Sequence, residues 1–159
     1  MKPLNGQARH HSTAAPDALW DLLTDVTRMG QWSPECTGGQ WLDGAIEAVE
    51  GARFRGTNRW GPLKWSTTCL VNEAERPRRF VYGARHWSGA MTRWSYELIP
   101  EASGTLLIEK FESVDSPELV LLMDRISQRP RRLQHGMSTT LARLSATAEG
   151  RGYPSSQDR

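Results

Sequence analysis

The chain has 159 residues, 38% hydrophobic and 24% charged, with a formal net charge of +2. That suits one domain with its own core and excludes a disordered chain. The small charge argues against the clustered basic face of a nucleic-acid binder, and no apolar run reaches the ~20 residues that cross a bilayer, so neither nucleic acid nor membrane insertion is expected.

The first residues, MKPLNGQARHH, lack the apolar stretch of a secretion signal, which makes the cytoplasm the expected location. Residues 1–6 read as a flexible start, 7–149 as the single domain, and 150–159 (GRGYPSSQDR) as a polar tail. A weakly alternating strand is expected over 7–14. A helix then starts near Pro16, with Leu19, Trp20, Leu22, Leu23 and Val26 on one face. The stretch DVTRMGQWSPEC at 25–36 breaks that helix at once, through Gly30 and Pro34. Such a broken helix fits a turn around a sheet edge, with Trp32 near the mouth of a cavity.

Alternating segments follow at 38–42, 52–60, 63–73, 79–87, 92–99 and 105–114, separated by Gly, Pro and Ser. Their close spacing predicts consecutive antiparallel hairpins rather than βαβ units. The C-terminal part is helical, with Ser116 as the expected N-cap and Pro117 in the first turn. Leu119, Leu122, Ile126, Leu133, Met137, Leu141 and Leu144 recur at helical spacing and predict one long helix, kinked at Pro130. The basic clusters Arg76-Pro77-Arg78-Arg79 and Arg129-Pro130-Arg131-Arg132 read as solvated turn and helix surface.

Seven tryptophans are more than one core needs, so some are expected to line a cavity or groove. Cys36 and Cys69 have no CxxC or metal spacing and read as reduced, packed thiols.

The blocks at 14–36 (AAPDALWDLLTDVTRMGQWSPEC), 51–82 (GARFRGTNRWGPLKWSTTCLVNEAERPRRFVY) and 92–111 (TRWSYELIPEASGTLLIEKF) carry a family resemblance. Over roughly residues 8–147 the sequence resembles the SRPBCC superfamily, also called START/Bet v 1-like, and within it the bacterial polyketide cyclase/dehydrase-like proteins. The resemblance implies an α+β helix-grip fold. This is a curved seven-stranded antiparallel sheet, with two short helices after strand 1 and a long C-terminal helix over a cavity. It also implies a hydrophobic or aromatic ligand, such as a lipid, sterol or polyketide, which some members cyclise or dehydrate and many only carry or sense. No catalytic motif comes with it, so residue roles rest on the strand pattern.

That pattern gives an inward set. Phe54, Gly56, Asn58 and Trp60 oppose Arg53, Arg55 and Arg59. Trp65, Thr67, Cys69 and Val71 share the next inner face, followed by Phe80, Tyr82, Ala84 and His86, then Trp94, Tyr96 and Leu98. On the last strand Thr105, Leu107, Glu109 and Phe111 compete with the apolar pair Leu106 and Ile108, which leaves Glu109 open to either face. The expected ligand contacts are Trp32, Phe54, Asn58, Trp65, Thr67, Tyr82, His86, Trp94, Tyr96 and, from the C-terminal helix, Met123.

The catalytic candidates are His86, Glu109 and Tyr82. His86 suits an acid or base near neutral pH, or a hydrogen-bonded structural histidine. Glu109, if inward, suits a carboxyl of raised pKa. Tyr82 suits a donor to a ligand carbonyl, or a packed ring. HExxH, GxSxG and P-loop patterns are absent, and His10-His11 is an isolated pair. No metal and no cofactor are expected. Three readings follow: a binding protein for a hydrophobic small molecule, a polyketide cyclase or dehydratase, and a protein-interaction module. Monomer and homodimer both remain open.

Overall fold

The computed structural model describes residues 2–150, so the expected tail at 151–159 lies outside the described residues. Seven strands form one antiparallel sheet: β1 (Asn5–Ser12), β2 (Cys36–Trp41), β3 (Arg53–Trp60), β4 (Leu63–Glu75), β5 (Arg79–Arg85), β6 (Met91–Glu101) and β7 (Gly104–Asp115). Their order is β1-β7-β6-β5-β4-β3-β2, so the first two strands form the opposite edges and the rest are successive hairpins. Bulges at Cys36/Gly38, Val71/Glu73 and Met91/Thr92 sharpen the bend of the sheet.

β1 begins at Asn5, inside the segment expected to be flexible, because its backbone pairs with β7 from Asn5↔Glu112 to Ser12↔Thr105. After it come α1 (Pro16–Thr24), a 3₁₀ turn (Val26–Arg28) and α2 (Met29–Trp32). Leu19, Trp20, Leu23 and Val26 face the core, as their spacing predicts. The helix breaks at Asp25, not at Gly30, which lies inside α2; Gly30 and Gly39, the latter in β2, are needed for a steric reason. A Cβ on Gly39 would stand 2.3 Å from the Val26 carbonyl oxygen, and one on Gly30 would stand 2.4 Å from that of Thr37. The backbones of the broken helix and β2 touch there, and only glycine permits it.

The C-terminal part differs from its expected form. It is two helices, α3 (Glu118–Ile126) and α4 (Arg129–Ala148), not one kinked helix. The chain breaks at Gln128, whose φ of 54° is left-handed, and Pro130 sits in the first turn of α4. Proline lacks only an N–H that the first turn leaves unpaired, so it starts a new helix instead of bending an old one. Pro117, not Ser116, precedes the first residue of α3. The break also resets the helical phase. Leu133, Met137, Leu141 and Leu144 are buried, but Leu119, Leu122, Met123 and Ile126 are exposed, and α3 buries only Leu121.

α4 lies over the inner face of the sheet. At its C-terminal end the interior is filled by Leu19, Trp20, Leu98, Leu107, Leu141 and Leu144. Glu149 there accepts hydrogen bonds from Ser12 (3.0 Å) and Ser145 (2.7 Å). On its second turn, the Gln134 side chain binds the edge strand: its Oε1 accepts from the Gln7 N–H at 3.2 Å, and its Nε2 donates to the Gln7 carbonyl. Toward the N-terminal end of α4 the interior is not filled.

Candidate functional site

The unfilled space is a cavity of about 270 Å³ between α4, α2 and strands β3 to β7. Antiparallel register assembles its walls. Phe54 pairs with Cys69, Cys69 with Ala84, Tyr82 with Trp94, and Tyr96 with Glu109. Each pair crosses two strands with both side chains on the inner face. The rings form a connected set: Phe54 meets Tyr82 edge-on at 5.1 Å, and Tyr82 and Tyr96 stack at 6.3 Å. Trp41 backs Phe54 at 5.6 Å and Trp20 backs Phe80 at 6.2 Å. Gly56, with no side chain, leaves space opposite Thr67.

Of the expected contacts, Trp32, Phe54, Asn58, Trp65, Thr67, Tyr82, His86, Trp94 and Tyr96 all line this cavity. Met123 does not. It is 57% exposed on α3, turned outward by the break at Gln128. The lining methionine of α4 is Met137, one of the stripe residues. Four of the seven tryptophans, Trp32, Trp60, Trp65 and Trp94, face the cavity, whereas Trp87 is 88% exposed and contributes nothing to it. Trp32 ends α2 with its indole Nε1 buried and without a hydrogen-bond partner.

Glu109 faces inward and is 3% exposed. The Tyr96 hydroxyl donates to its Oε1 at 2.8 Å, and its Oε2 is buried without a partner. Burial pushes its pKa up to about 8, against the smaller lowering by the Tyr96 bond, so at neutral pH it is a carboxylic acid. The Tyr82 and Tyr96 hydroxyls are held well above their ordinary value, first by burial. They remain protonated donors. His86 follows the end of β5 and is half-buried at the cavity wall. Burial, then the Arg129 charge, lowers its pKa to about 4. It is a neutral imidazole at pH 7, with Nε2 3.4 Å from the Thr92 hydroxyl. Burial lifts the Cys69 thiol to about 12 and raises Cys36 too, so neither is an activated nucleophile.

One cluster that read as plain surface belongs here. Arg129 and Arg132, with Arg59 and Glu35, line the cavity where it opens. The other cluster is on the surface, with Arg76 paired to Asp17 and Asp21. Among the described residues no group of His, Cys, Asp and Glu is placed to hold a metal, and no helix is long and apolar enough to cross a membrane.

The family model described as "Polyketide cyclase / dehydrase and lipid transport" matches residues 5–149. The chain belongs to this family. Several solved structures share the fold over more than nine-tenths of this chain. A solution structure of a Polyketide_cyc-like protein from Corynebacterium glutamicum is 27% identical, with 93% of each chain covered and a TM-score of 0.63. The di-domain ARO/CYC StfQ from the steffimycin biosynthetic pathway has a TM-score of 0.76 at 13% identity. The match covers 94% of this chain and 51% of StfQ. A crystal structure from Chromobacterium violaceum gives 0.70 at 16% identity, covering 92% and 98% of the two chains. No curated protein sequence matches the chain. The helix-grip architecture of the SRPBCC superfamily is therefore the fold of this chain, and within its polyketide cyclase/dehydrase family the cavity is the feature that needs a function.

Proposed function

We propose that the cavity binds a hydrophobic, aromatic-bodied small molecule, lipid- or polyketide-like, for carriage or sensing. The observation that carries this reading is the cavity itself: about 270 Å³, walled by Phe54, Trp65, Tyr82, Trp94 and Tyr96, with few polar groups. Aromatic walls with sparse, fixed polar groups suit a flat apolar ligand. The test is mass spectrometry of the purified protein under native and denaturing conditions. A mass excess that disappears on denaturation, and that is recovered as an unmodified hydrophobe, is the expected result. Recovery of a defined conversion product of a supplied ligand overturns carriage.

A second reading has its own support, the protonated Glu109 with its unpartnered Oε2. In a cyclase or dehydratase, the Glu109 acid would give its proton to a departing hydroxyl, which leaves as water. The resulting carboxylate would take a proton from the adjacent carbon, a double bond would form, and the acid would be restored. Tyr82 or Asn58 would polarise the neighbouring carbonyl. His86, neutral and of low pKa, is the weaker base. Glu109→Gln then abolishes turnover while the substrate still binds. Equal turnover by the variant excludes this role.

A further inference from the structure

The opening of the cavity is electrostatically unlike its interior. Arg129 and Arg132, both on the first two turns of α4, line it together with Arg59. Arg129 lies 3.6 Å from Glu35 and 3.9 Å from Asp124, distances beyond those of good hydrogen bonds. The Arg132 guanidinium lies over the Trp60 ring at 3.9 Å, and its Nε is buried with no hydrogen-bond partner. Burial lowers the pKa of Arg132, the mark of a cation held partly out of water. Arg129 and Arg132 thus stand near Glu35 and Asp124 without good hydrogen bonds to them, and Arg59, whose Nε donates to the Gly61 carbonyl at 3.0 Å, adds a third cation at the edge of an apolar space.

A desolvated guanidinium is stabilised most by an oxygen anion in its donor plane. The other end of the cavity disfavours an anion, because Glu109 and the two tyrosines are already penalised there for ionising. On the reading that the cavity holds an apolar small molecule, we propose that the ligand is a monocarboxylic acid. Its carboxylate sits at the mouth between Arg129 and Arg132, and its apolar body points toward Glu109. The planar guanidinium forks of Arg129 and Arg132, neither well satisfied by the protein, match the plane of a carboxylate.

The test uses two fluorescent probes with the same ring and chain length, 1-pyrenebutyrate and neutral 1-pyrenebutanol, titrated into the full chain at low and high salt. The expected result is at least tenfold tighter binding of the carboxylate at low salt, with the preference shrinking as salt rises. The preference should collapse toward one in Arg132→Gln and in Arg129→Gln, and persist in Arg132→Lys. Using two separate sites guards against one variant that fails to fold. Saturable binding of both probes with no preference overturns the carboxylate while leaving the apolar cavity reading intact. A preference that survives both Gln variants overturns the assignment to these arginines. Binding of neither probe overturns the cavity reading and this inference with it.

Discussion

Glu109 has one carboxyl oxygen satisfied by Tyr96 and the other facing buried space. The sign of its pH effect follows directly. Its folded pKa of about 8 stands above the ordinary 4.5, so between those values the native state keeps a proton that the unfolded chain has lost. Stability therefore falls as pH rises through this window, at up to about 1.4 kcal/mol per pH unit. His86 acts oppositely, in a window that overlaps the acid half of this one. With its pKa lowered from 6.5 to about 4, stability is lost as pH falls through that range. Above pH 6.5 the Glu109 slope stands alone. Urea unfolding at pH 6.5, 7.25 and 8 should show falling stability in the wild type and a flatter profile in Glu109→Gln. Parallel profiles would mean that Glu109 does not titrate there. The inward side of Glu109 was only half legible in the sequence. β7 lies between β1 and β6, and Leu106 and Ile108 are buried on its other face, so alternation loses its sign. On β3 and β4, where arginine, lysine and serine mark the wet face, the inner residues were legible one by one.

The elements were legible wherever turn chemistry bounds them. All seven strands lie within a few residues of their expected positions, because Gly, Pro and Ser end each one. The phase of the last helix was not legible. A periodic pattern read through 119–144 assumes one continuous helix, and the left-handed Gln128 divides it. That error moved Met123 inward and kept Arg129 and Arg132 outside, since both depend on where α4 starts. The interrupted helix at 25–36 wraps a sheet edge as expected, but Gly30 does not break it: Gly30 in α2 and Gly39 in β2 are where the two backbones touch. Gly39→Ala should destabilise the fold by about 1–3 kcal/mol, because the new Cβ meets the Val26 carbonyl at 2.3 Å, backbone against backbone. Chemical denaturation checks this. A change below ~0.5 kcal/mol, the size of a neutral surface substitution, would show that β2 and the 3₁₀ turn can move apart freely.

At the scale of the whole molecule the sheet is open, not a closed barrel, and so it has two edges. β2 is covered by the broken helix lying against Gly39. β1 has a free side opposite β7, and the Gln134 carboxamide bonds both the N–H and the C=O of Gln7 there. A side chain of α4 thus occupies the place where another strand would bind. An exposed strand edge is a template for pairing with a second chain, and proteins that stay dispersed obstruct it. The Gln134 amide is such an obstruction in the first half of β1, and a partner strand would first have to break both of its bonds. Gln134→Ala should leave the unfolding midpoint little changed but increase light scattering during concentration or slow heating. Scattering equal to the wild type would mean that the neighbouring α4 backbone alone guards the edge. The helix that roofs the cavity would then also keep one molecule from growing onto the next.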